Sequence, residues 1–432
     1  MSNILVVYFH GADEFPVRAT VWDHLYSFER YAPHRCFYVN MAVRRLPSFI
    51  THVKFSSIVF HTTFLSTRWD LSLFAHLMKE SQSLKHIRTI KLALPQDEFI
   101  HTDILCDFIN EFEVDYVFSI FPESEWPKIY HRVNFDRTRF FKVLAGSLDD
   151  HAVSKIEKLS KGCFRSIDIG YRAWHAAPWL GRHGLSKVRV AEIFKVRAPQ
   201  AGLTTDISTR PQDVLLGDKW YRFLSRCKYT IGVPGGSSIL DRDGTLKKKT
   251  EEFVRHHPDA SFEEIEGACF PSQDGSLDAA VITPRHLEAC ATRTCQVLME
   301  GEYNGILKPR KHYIELRRDF SNIEDVLEII RQDTLRTEIT ERAFRDVVAS
   351  RRYTYQRFVD FILEKSLGNS FPHTTLFDNL LIWRWSQFLD QLSWVVVVLR
   401  AIYCRLIASI PIPIRSLLRL CRRMGRRLVQ RA

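Results

Sequence analysis

The stretch TPRHLEACATRTCQVL, residues 283–298, combines the signals of a helix and of a strand. Thr283 is a residue type that caps helices, and Pro284 suits the first helical position, where its missing N–H costs nothing. The apolar run TCQVLM, residues 294–299, follows and predicts a buried strand. A helix that leads directly into a buried strand is the repeating unit of a parallel sheet, so this stretch predicts an α/β fold.

The same alternation continues through most of the chain. Apolar runs predict a first series of strands at residues 4–9, 35–41, 57–65, 87–95, 114–121 and 139–145. A second series predicts strands at 164–170, 228–233, 294–299 and 312–316, with helices near 184–195, 217–226, 284–293 and 323–333. Such alternation forms right-handed βαβ units on parallel sheets.

The 432 residues exceed the roughly 250–300 at which a single core stops growing. A polar stretch at 148–161 separates the two series of strands. We therefore predict a Rossmann-like domain over residues 1–147 and a second one over 148–370, which ends in helical residues 337–366.

The positive charge is concentrated at the C-terminus. The formal net charge is +11, but residues 400–432 contain nine Arg and no Lys, Asp or Glu, which leaves +2 for the rest of the chain. This distribution argues against a nucleic-acid groove across the fold and favours an anionic surface as a partner of the tail. Arg recurs here at three- and four-residue spacing opposite Leu and Ile, so residues 371–432 are predicted to form amphipathic helices on a membrane, with a solvated disordered end or a nucleic-acid arm as the alternatives.

The apolar run before Pro411 is interrupted by Arg400 and Arg405 and is marginal as a membrane span. Nine cysteines without a CxxC pair are typical of a reducing compartment. The chain does not open with a basic segment followed by an apolar one, as a secretory signal would. We expect a cytoplasmic protein, peripheral on the inner face of the cell membrane.

Three strand exits in the second series carry groups that can bind an anion. The helix starting at Pro284 offers its positive N-terminus and the side chains of Arg285, His286 and Glu288, where a surface salt bridge is the alternative. The loop after strand 228–233 contains Gly235, Gly236, Ser237 and Ser238, whose N–H and hydroxyl groups suit an oxyanion, although a simple tight turn is the alternative. Residues 170–187 add the cations Arg172, Arg182 and Lys187, or a scattered basic surface.

The runs PRHLEACATRTCQVL, HYIELRRDFSNIEDVLEIIRQD and RAFRDVVASRRYTYQRFV resemble the C-terminal half of GT-B glycosyltransferases of the bacterial "glycosyl transferases group 1" kind. The resemblance covers about residues 165–360, and the N-terminal half by architecture. It implies two Rossmann-like domains facing a cleft, with transfer of a sugar from a nucleotide-sugar donor and neither a metal nor a cofactor.

The resemblance also implies roles for individual residues. Glu288 would bind the donor ribose, Arg285 would lie at its phosphates, and Lys187 and Arg182 would neutralise the diphosphate. The 235–243 loop would face the transferred sugar. The N-terminal half would bind a glycan or lipid-linked acceptor, with His10 or His61 at strand exits as general base, near Asp13, Asp23 and His24.

The sequence departs from the family pattern at two positions. Ala280 stands where retaining members usually have a second Glu, and Arg293 stands where a small Gly is expected. A long insert, about 245–282, follows the glycines, and Asp241 or Asp243 can fill the missing acidic role. These departures leave the stereochemistry open. They also motivate an inactive GT-B-like scaffold of a polysaccharide assembly complex as the alternative function, with a GT-B epimerase or phosphorylase third.

Overall fold

A computed structural model of the chain describes residues 2–13, 15–368 and 377–409. The first half forms a sheet of six parallel strands in the order β2-β1-β3-β4-β5-β6. These strands are β1 Asn3–Tyr8, β2 Arg35–Asn40, β3 Ser57–Phe60, β4 Ile90–Ala93, β5 Tyr116–Ser119 and β6 Arg139–Lys142. All six residues of β1 are buried, because the sheet is covered on both faces.

Short helices connect these strands. They are α1 Ala19–Leu25, α2 Ser27–Tyr31, α3 Thr62–Leu65, α4 Leu71–Glu80, α5 Thr102–Glu111 and α6 Trp126–Ile129. The predicted strand 57–65 ends at Phe60, and its last residues belong to α3, which His61 caps by accepting the backbone N–H of Thr63.

The second half forms a sheet of five parallel strands in the order β11-β10-β9-β7-β8. They are β7 Ile167–Arg172, β8 Thr205–Ser208, β9 Cys227–Gly232, β10 Cys295–Met299 and β11 Ile314–Leu316. β8 is not among the predicted strands; it is a short edge strand of sequence TDIS in which only Ser208 is buried. The predicted boundary between residues 147 and 148 lies between β6 and β7.

The helices of this half are α7 Asp150–Ser160, α8 Gly181–Gln200, α9 Asp218–Arg226, α10 Thr245–His256, α11 Phe262–Cys269, α12 Pro284–Ala291, α13 Ile323–Ile330 and α14 Asp333–Ala343. A π-helical segment, Phe344–Ala349, follows α14. The insert predicted at 245–282 supplies α10 and α11, which share a small core with Ile239.

The chain then returns to the first half. Helix α15, Tyr355–Leu367, buries Tyr355, Val359 and Ile362 in the same cluster as Ile4 and Val6 of β1. The closing helix predicted at the end of residues 148–370 therefore packs on the first sheet, and it joins the two halves physically.

The last described helix is α16, Phe377–Ser409. Residues Leu380–Ala408 are long and apolar enough to cross a membrane, with a hydropathy of 1.5. One face nevertheless packs against the first half, where Asp390 accepts hydrogen bonds from the hydroxyls of Tyr8 (2.6 Å) and Tyr26 (2.7 Å). The remainder of the predicted tail, residues 371–376 and 410–432, lies outside the described residues.

Candidate functional site

A cavity of about 460 Å³ lies between the two sheets. Segments that follow β3, β4 and β5 line it from the first half, and segments that follow β7 and β9 line it from the second. Ligands of open α/β sheets bind outside the carboxyl ends of the strands, which is where this cavity lies. The chain has a GT-B fold. Two Rossmann-like units face one cleft, as the sequence analysis predicted.

Three of the four described cations that line the GT-B cleft lie close enough for their charges to interact, and they come from both halves. Arg18 precedes α1, Lys187 lies on α8, and Arg285 is the second residue of α12. Burial lowers the pKa of Lys187 to about 8, and the positive charge of Arg285 adds to this effect. Burial and Arg285 also lower the pKa of Arg18. Like charges held this close favour an anion between them.

Local structure fixes the position of Arg285. Its Nη1 donates to the carbonyl oxygen of Arg172 at 2.9 Å, and its guanidinium lies 5.8 Å from the centre of the Trp220 ring. Asp97 is the acidic neighbour of Lys187, and it favours the charged form of that lysine. Among the described residues, no carboxylate lies within 4.0 Å of Lys187 Nζ.

The head of α12 differs in detail from the prediction. His286 is buried, and its Nδ1 interacts with the hydroxyl and the backbone N–H of Thr283, both at 3.0 Å. Burial lowers the pKa of His286 to about 4, so the ring is neutral. His286 lines the cleft, but it holds the start of the helix and adds no positive charge.

Glu288 is buried in the cleft wall. Its Oε2 accepts the indole N–H of Trp220 at 2.8 Å, and the hydroxyl of Tyr221 lies 3.5 Å from Oε1. Burial raises the pKa of Glu288 to about 7, although Trp220 and Arg285 oppose the shift. Arg285 thus acts on Glu288 through its charge, while the hydrogen bonds come from α9.

The paired glycines lie in the cleft lining, but their immediate neighbours are protein atoms. Gly235 exchanges backbone hydrogen bonds with Val281, at 2.8 and 3.0 Å. Gly236 has a φ of 114°, and a Cβ there would lie 1.7 Å from the carbonyl oxygen of Ala279. The glycines therefore allow the loop to pack against residues 279–281, a role that the sequence analysis did not predict.

The serines and aspartates of this loop lie outside the cavity lining. The Ser237 hydroxyl donates to backbone carbonyls, and the Ser238 hydroxyl donates to Asp274 at 2.6 Å. Asp241 is buried and accepts the backbone N–H groups of Gly244, Leu246 and Lys247. Asp243 accepts the N–H of Thr245. Both aspartates hold the start of α10. Neither lies at the cavity, where a carboxylate would have to replace the missing Glu.

Of the other predicted cations, only one faces the cleft. Arg172 lines the cavity, but its guanidinium is engaged by the carboxylate of Asp206 at 2.8 Å and lies 4.4 Å from the ring centre of Phe223. Arg182 pairs with Glu266 at 2.7 Å and with Asp274 at 3.6 Å, outside the lining. Lys187 and Arg182 therefore do not act as a pair, because Arg182 stabilises the insert.

The predicted bases His10 and His61 also lie outside the cavity lining. His10 is buried against Trp394 of α16, with ring centres 5.1 Å apart. His61 is fully buried, and its Nε2 lies 2.8 Å from Nδ1 of His24, which does line the cavity.

The hydrogen bonds of the two rings fix their tautomers. Because His61 Nδ1 accepts the N–H of Thr63 at 3.2 Å, its proton is on Nε2 and is donated to His24 Nδ1. His24 then carries its own proton on Nε2. Burial lowers the pKa of His24 to about 4, so the ring is a neutral hydrogen-bond donor.

Arg18, Asp97 and Trp220 are cleft residues that the sequence analysis missed. No motif marks them, because each comes from a different connection and only the folded chain brings them together. The sequence places His24 on the acceptor side, but it favours His10 and His61 as bases because they directly follow strands.

No protein-family model matches the sequence, and no curated protein matches it. Solved structures with a similar fold include Anabaena HepE in complex with UDP, at 12% identity and a TM-score of 0.43 over 84% of this chain and 99% of that chain. An alpha-glucosyltransferase in complex with UDP-glucose and DNA shows 10% identity and a TM-score of 0.47 over 84% and 98%. Sucrose-phosphate synthase from Thermosynechococcus elongatus shows 10% identity and a TM-score of 0.40 over 84% and 98%.

Proposed function

We propose that the protein is a glycosyltransferase that moves a sugar from a nucleotide-sugar donor to a glycan or lipid-linked acceptor. The observation that carries this proposal is the convergence of Arg18, Lys187 and Arg285 on one cleft between the two halves. A diphosphate is the anion that three clustered cations fit best, because it offers several charged oxygens to separate donors.

The cations also suit the chemistry of transfer. Negative charge develops on the departing diphosphate as the bond to the sugar breaks, and preorganised cations stabilise that charge in the transition state. Arg285 offers a fork of donors, while Lys187 acts as a point charge. We propose that these side chains take the place of a metal ion, so that the reaction is metal-independent and needs no cofactor.

Glu288 is proposed to bind the donor ribose. Among the described residues, its Oε1 has only the long 3.5 Å contact with Tyr221, so a ribose hydroxyl can offer a better hydrogen bond. Trp220 holds the other carboxylate oxygen, which fixes the orientation of the group. Trp220 also lies in the cleft, where its ring adds an apolar surface beside Arg285.

His24 is proposed to donate its Nε2–H to a substrate oxygen in the cleft. The bond from His61 leaves no lone pair on either nitrogen of the neutral His24 ring, so His24 suits substrate positioning better than proton abstraction. The bond between His24 and the buried His61 fixes the ring orientation.

The cellular setting remains part of the proposal. The positive charge of the tail supports peripheral attachment to the cytoplasmic face of an anionic membrane, because residues 400–432 contain nine Arg and no acid. Synthesis of a bacterial surface polysaccharide or lipopolysaccharide fits an enzyme held at that surface.

The proposal is tested by titrating the purified protein with a panel of nucleotide sugars in a calorimeter and assaying slow donor hydrolysis. Lys187→Gln is expected to weaken binding of the selected donor at least about tenfold, because a charge-assisted contact is lost. Lys195→Gln, an exposed lysine on the same helix, is the matched control. Equal affinities of the two variants would contradict the diphosphate site.

An inactive scaffold is the second candidate, and Arg293 favours it. This residue replaces the Gly of the family pattern, and it is engaged structurally by Glu341 at 2.9 Å and by the ring of Phe344 at 3.6 Å. Nucleotide-sugar binding without hydrolysis or transfer to any acceptor fraction would favour the scaffold over the enzyme.

A further inference from the structure

The outer face of α16 carries a continuous apolar stripe, here called the α16 seam. It runs from Leu381 to Leu406 at alternating intervals of four and three residues, through Trp385, Phe388, Leu392, Val395, Leu399 and Ile402. Each of these side chains is at least 46% exposed. The seam is about 38 Å long at 1.5 Å per residue. An exposed apolar surface of this extent marks an interaction surface.

The opposite face of α16 is tied to the first half along its length. The Trp383 indole N–H donates to the carbonyl of Cys36 at 3.1 Å, and Gln387 donates to Glu29 at 2.8 Å. Farther along, Asp390 binds the two tyrosine hydroxyls, while Val397 and Ala401 are buried. A helix fixed in this way cannot cross a bilayer alone, so the seam faces outward along the surface of the molecule.

The exposed charges on α16 itself have one sign, although Glu29 of α2 lies against Gln387. Arg384, Arg400 and Arg405 are exposed, whereas Asp390 is the only acid among residues 380–408, whose side chains the structure describes, and it is buried. Residues 410–432 add seven Arg and no acid. A second copy of α16 would bring arginines towards arginines, and the described part of this helix has no exposed carboxylate to pair them. An anionic lipid surface matches both the apolar stripe and the charge.

We propose that the α16 seam lies in the interface of a bilayer containing anionic lipids, with α16 parallel to the surface. The apolar side chains enter the boundary between head groups and acyl chains, and the arginines contact lipid phosphates. The folded first half thus presents a membrane-binding surface of its own, in addition to the tail.

This placement also bears on the acceptor, a consequence that rests on the proposed function. The ring of Trp394 lies 4.9 Å from that of Trp22 on α1, and Arg405 donates to the carbonyl of Phe15 at 3.1 Å. The same connection continues into Arg18–Val21, which line the cleft. A bilayer on the seam therefore lies beside the acceptor wall of the cleft, and we infer that the acceptor is membrane-anchored.

The experiment is co-sedimentation of the full-length chain with vesicles of phosphatidylcholine alone and of phosphatidylcholine with phosphatidylglycerol. The seam variant is Leu392→Glu with Leu399→Glu, since both side chains are exposed and the core is left intact. The matched control is Phe164→Glu with Val196→Glu, two exposed apolar residues of the second half. Deletion of α16 is avoided because it would uncover Tyr8 and Trp22.

The wild type and the control are expected to bind the anionic vesicles, and the seam variant is expected to bind at least about tenfold more weakly. Unchanged binding by the seam variant, or equal binding of the wild type to neutral vesicles, would overturn the proposal. So would light scattering that shows a lipid-free dimer which the seam variant dissociates, because the occupant would then be a second copy. Nucleotide binding measured on the same variants separates this outcome from failure of the proposed function, since the seam lies outside the cavity lining.

Discussion

His24 Nδ1 lies 2.8 Å from His61 Nε2, and this contact links a cleft residue to a fully buried one. His61 is anchored in turn by Thr63 at the start of α3. The positions of the protons along these hydrogen bonds determine what His24 can offer a substrate, because only its Nε2 remains for the cleft.

Both rings are expected to be neutral Nε2–H tautomers. Long-range proton–nitrogen correlation spectra of the labelled protein at pH 7 test this, and a proton on Nδ1 of His24 would contradict it. His24→Phe removes the Nε2–H donor and is expected to weaken substrate binding about tenfold, the value of one lost hydrogen bond of about 1.4 kcal/mol. His10→Phe is the control and is expected to leave binding unchanged, because His10 faces Trp394.

Nucleoside diphosphate binding is expected to weaken as the pH rises from 7 to 9. Lys187 has a pKa of about 8 in the free protein, so it is largely charged at pH 7 and about one-tenth charged at pH 9. An anion binds the charged form, and the loss is therefore about tenfold. Calorimetry across this range measures it. The variant Lys187→Arg stays charged at pH 9 and is expected to lose most of the pH dependence of this affinity. If the variant keeps a similar pH dependence, Lys187 is not its source.

Glu288→Gln is expected to change how stability depends on pH. The pKa of Glu288 is about 7 in the folded protein, against 4.5 ordinarily, so between these values the folded state holds a proton that the unfolded state has lost. The free energy of unfolding of the wild type therefore falls as the pH rises through this window, by on the order of 3 kcal/mol from this group. Glu288→Gln lacks this contribution. Chemical denaturation of both proteins at pH 5 and pH 8 measures the difference. An equal change in the free energy of unfolding of the two proteins would contradict the assignment.

Gly236→Ala is expected to lower the free energy of unfolding by several kcal/mol. A Cβ at this position would lie 1.7 Å from the Ala279 carbonyl oxygen, and φ is 114°. Gly202→Ala is the matched control, because Gly202 also has a positive φ, of 76°, but has open space around its Cβ. Its expected cost is about 1–2 kcal/mol. Equal losses in the two variants would show that backbone strain alone matters at Gly236.

The parallel strands were predictable except for one. β1 and β10 are mostly apolar and fully buried, which is typical of strands covered on both faces, whereas β9 also contains Lys228 and Thr230. β8 is a half-buried edge strand of mixed polarity, and its pairing with β7 depends on a neighbour far along the chain. The sequence also did not predict which face of α16 packs on the first half, because its polar anchor, Asp390, is satisfied by Tyr8 of β1 and by Tyr26.

The candidate site was predictable only in part, because a residue type near a strand exit does not reveal which partner its side chain contacts. Lys187, Arg285 and Glu288 were predicted from their local positions, and all three line the cleft. Arg182, Asp241 and Ser238 were also predicted from strand exits, but their side chains are engaged by the insert or by α10.

The sequence by itself determined the alternation of helices and strands and the uneven distribution of charge, because both follow from the order of residue types. Tertiary structure alone decided which cations share the cleft, which histidine faces it and which side of α16 is exposed. These are long-range choices: each depends on the contacts that connect residues far apart in the chain, and a local pattern contains no information about them.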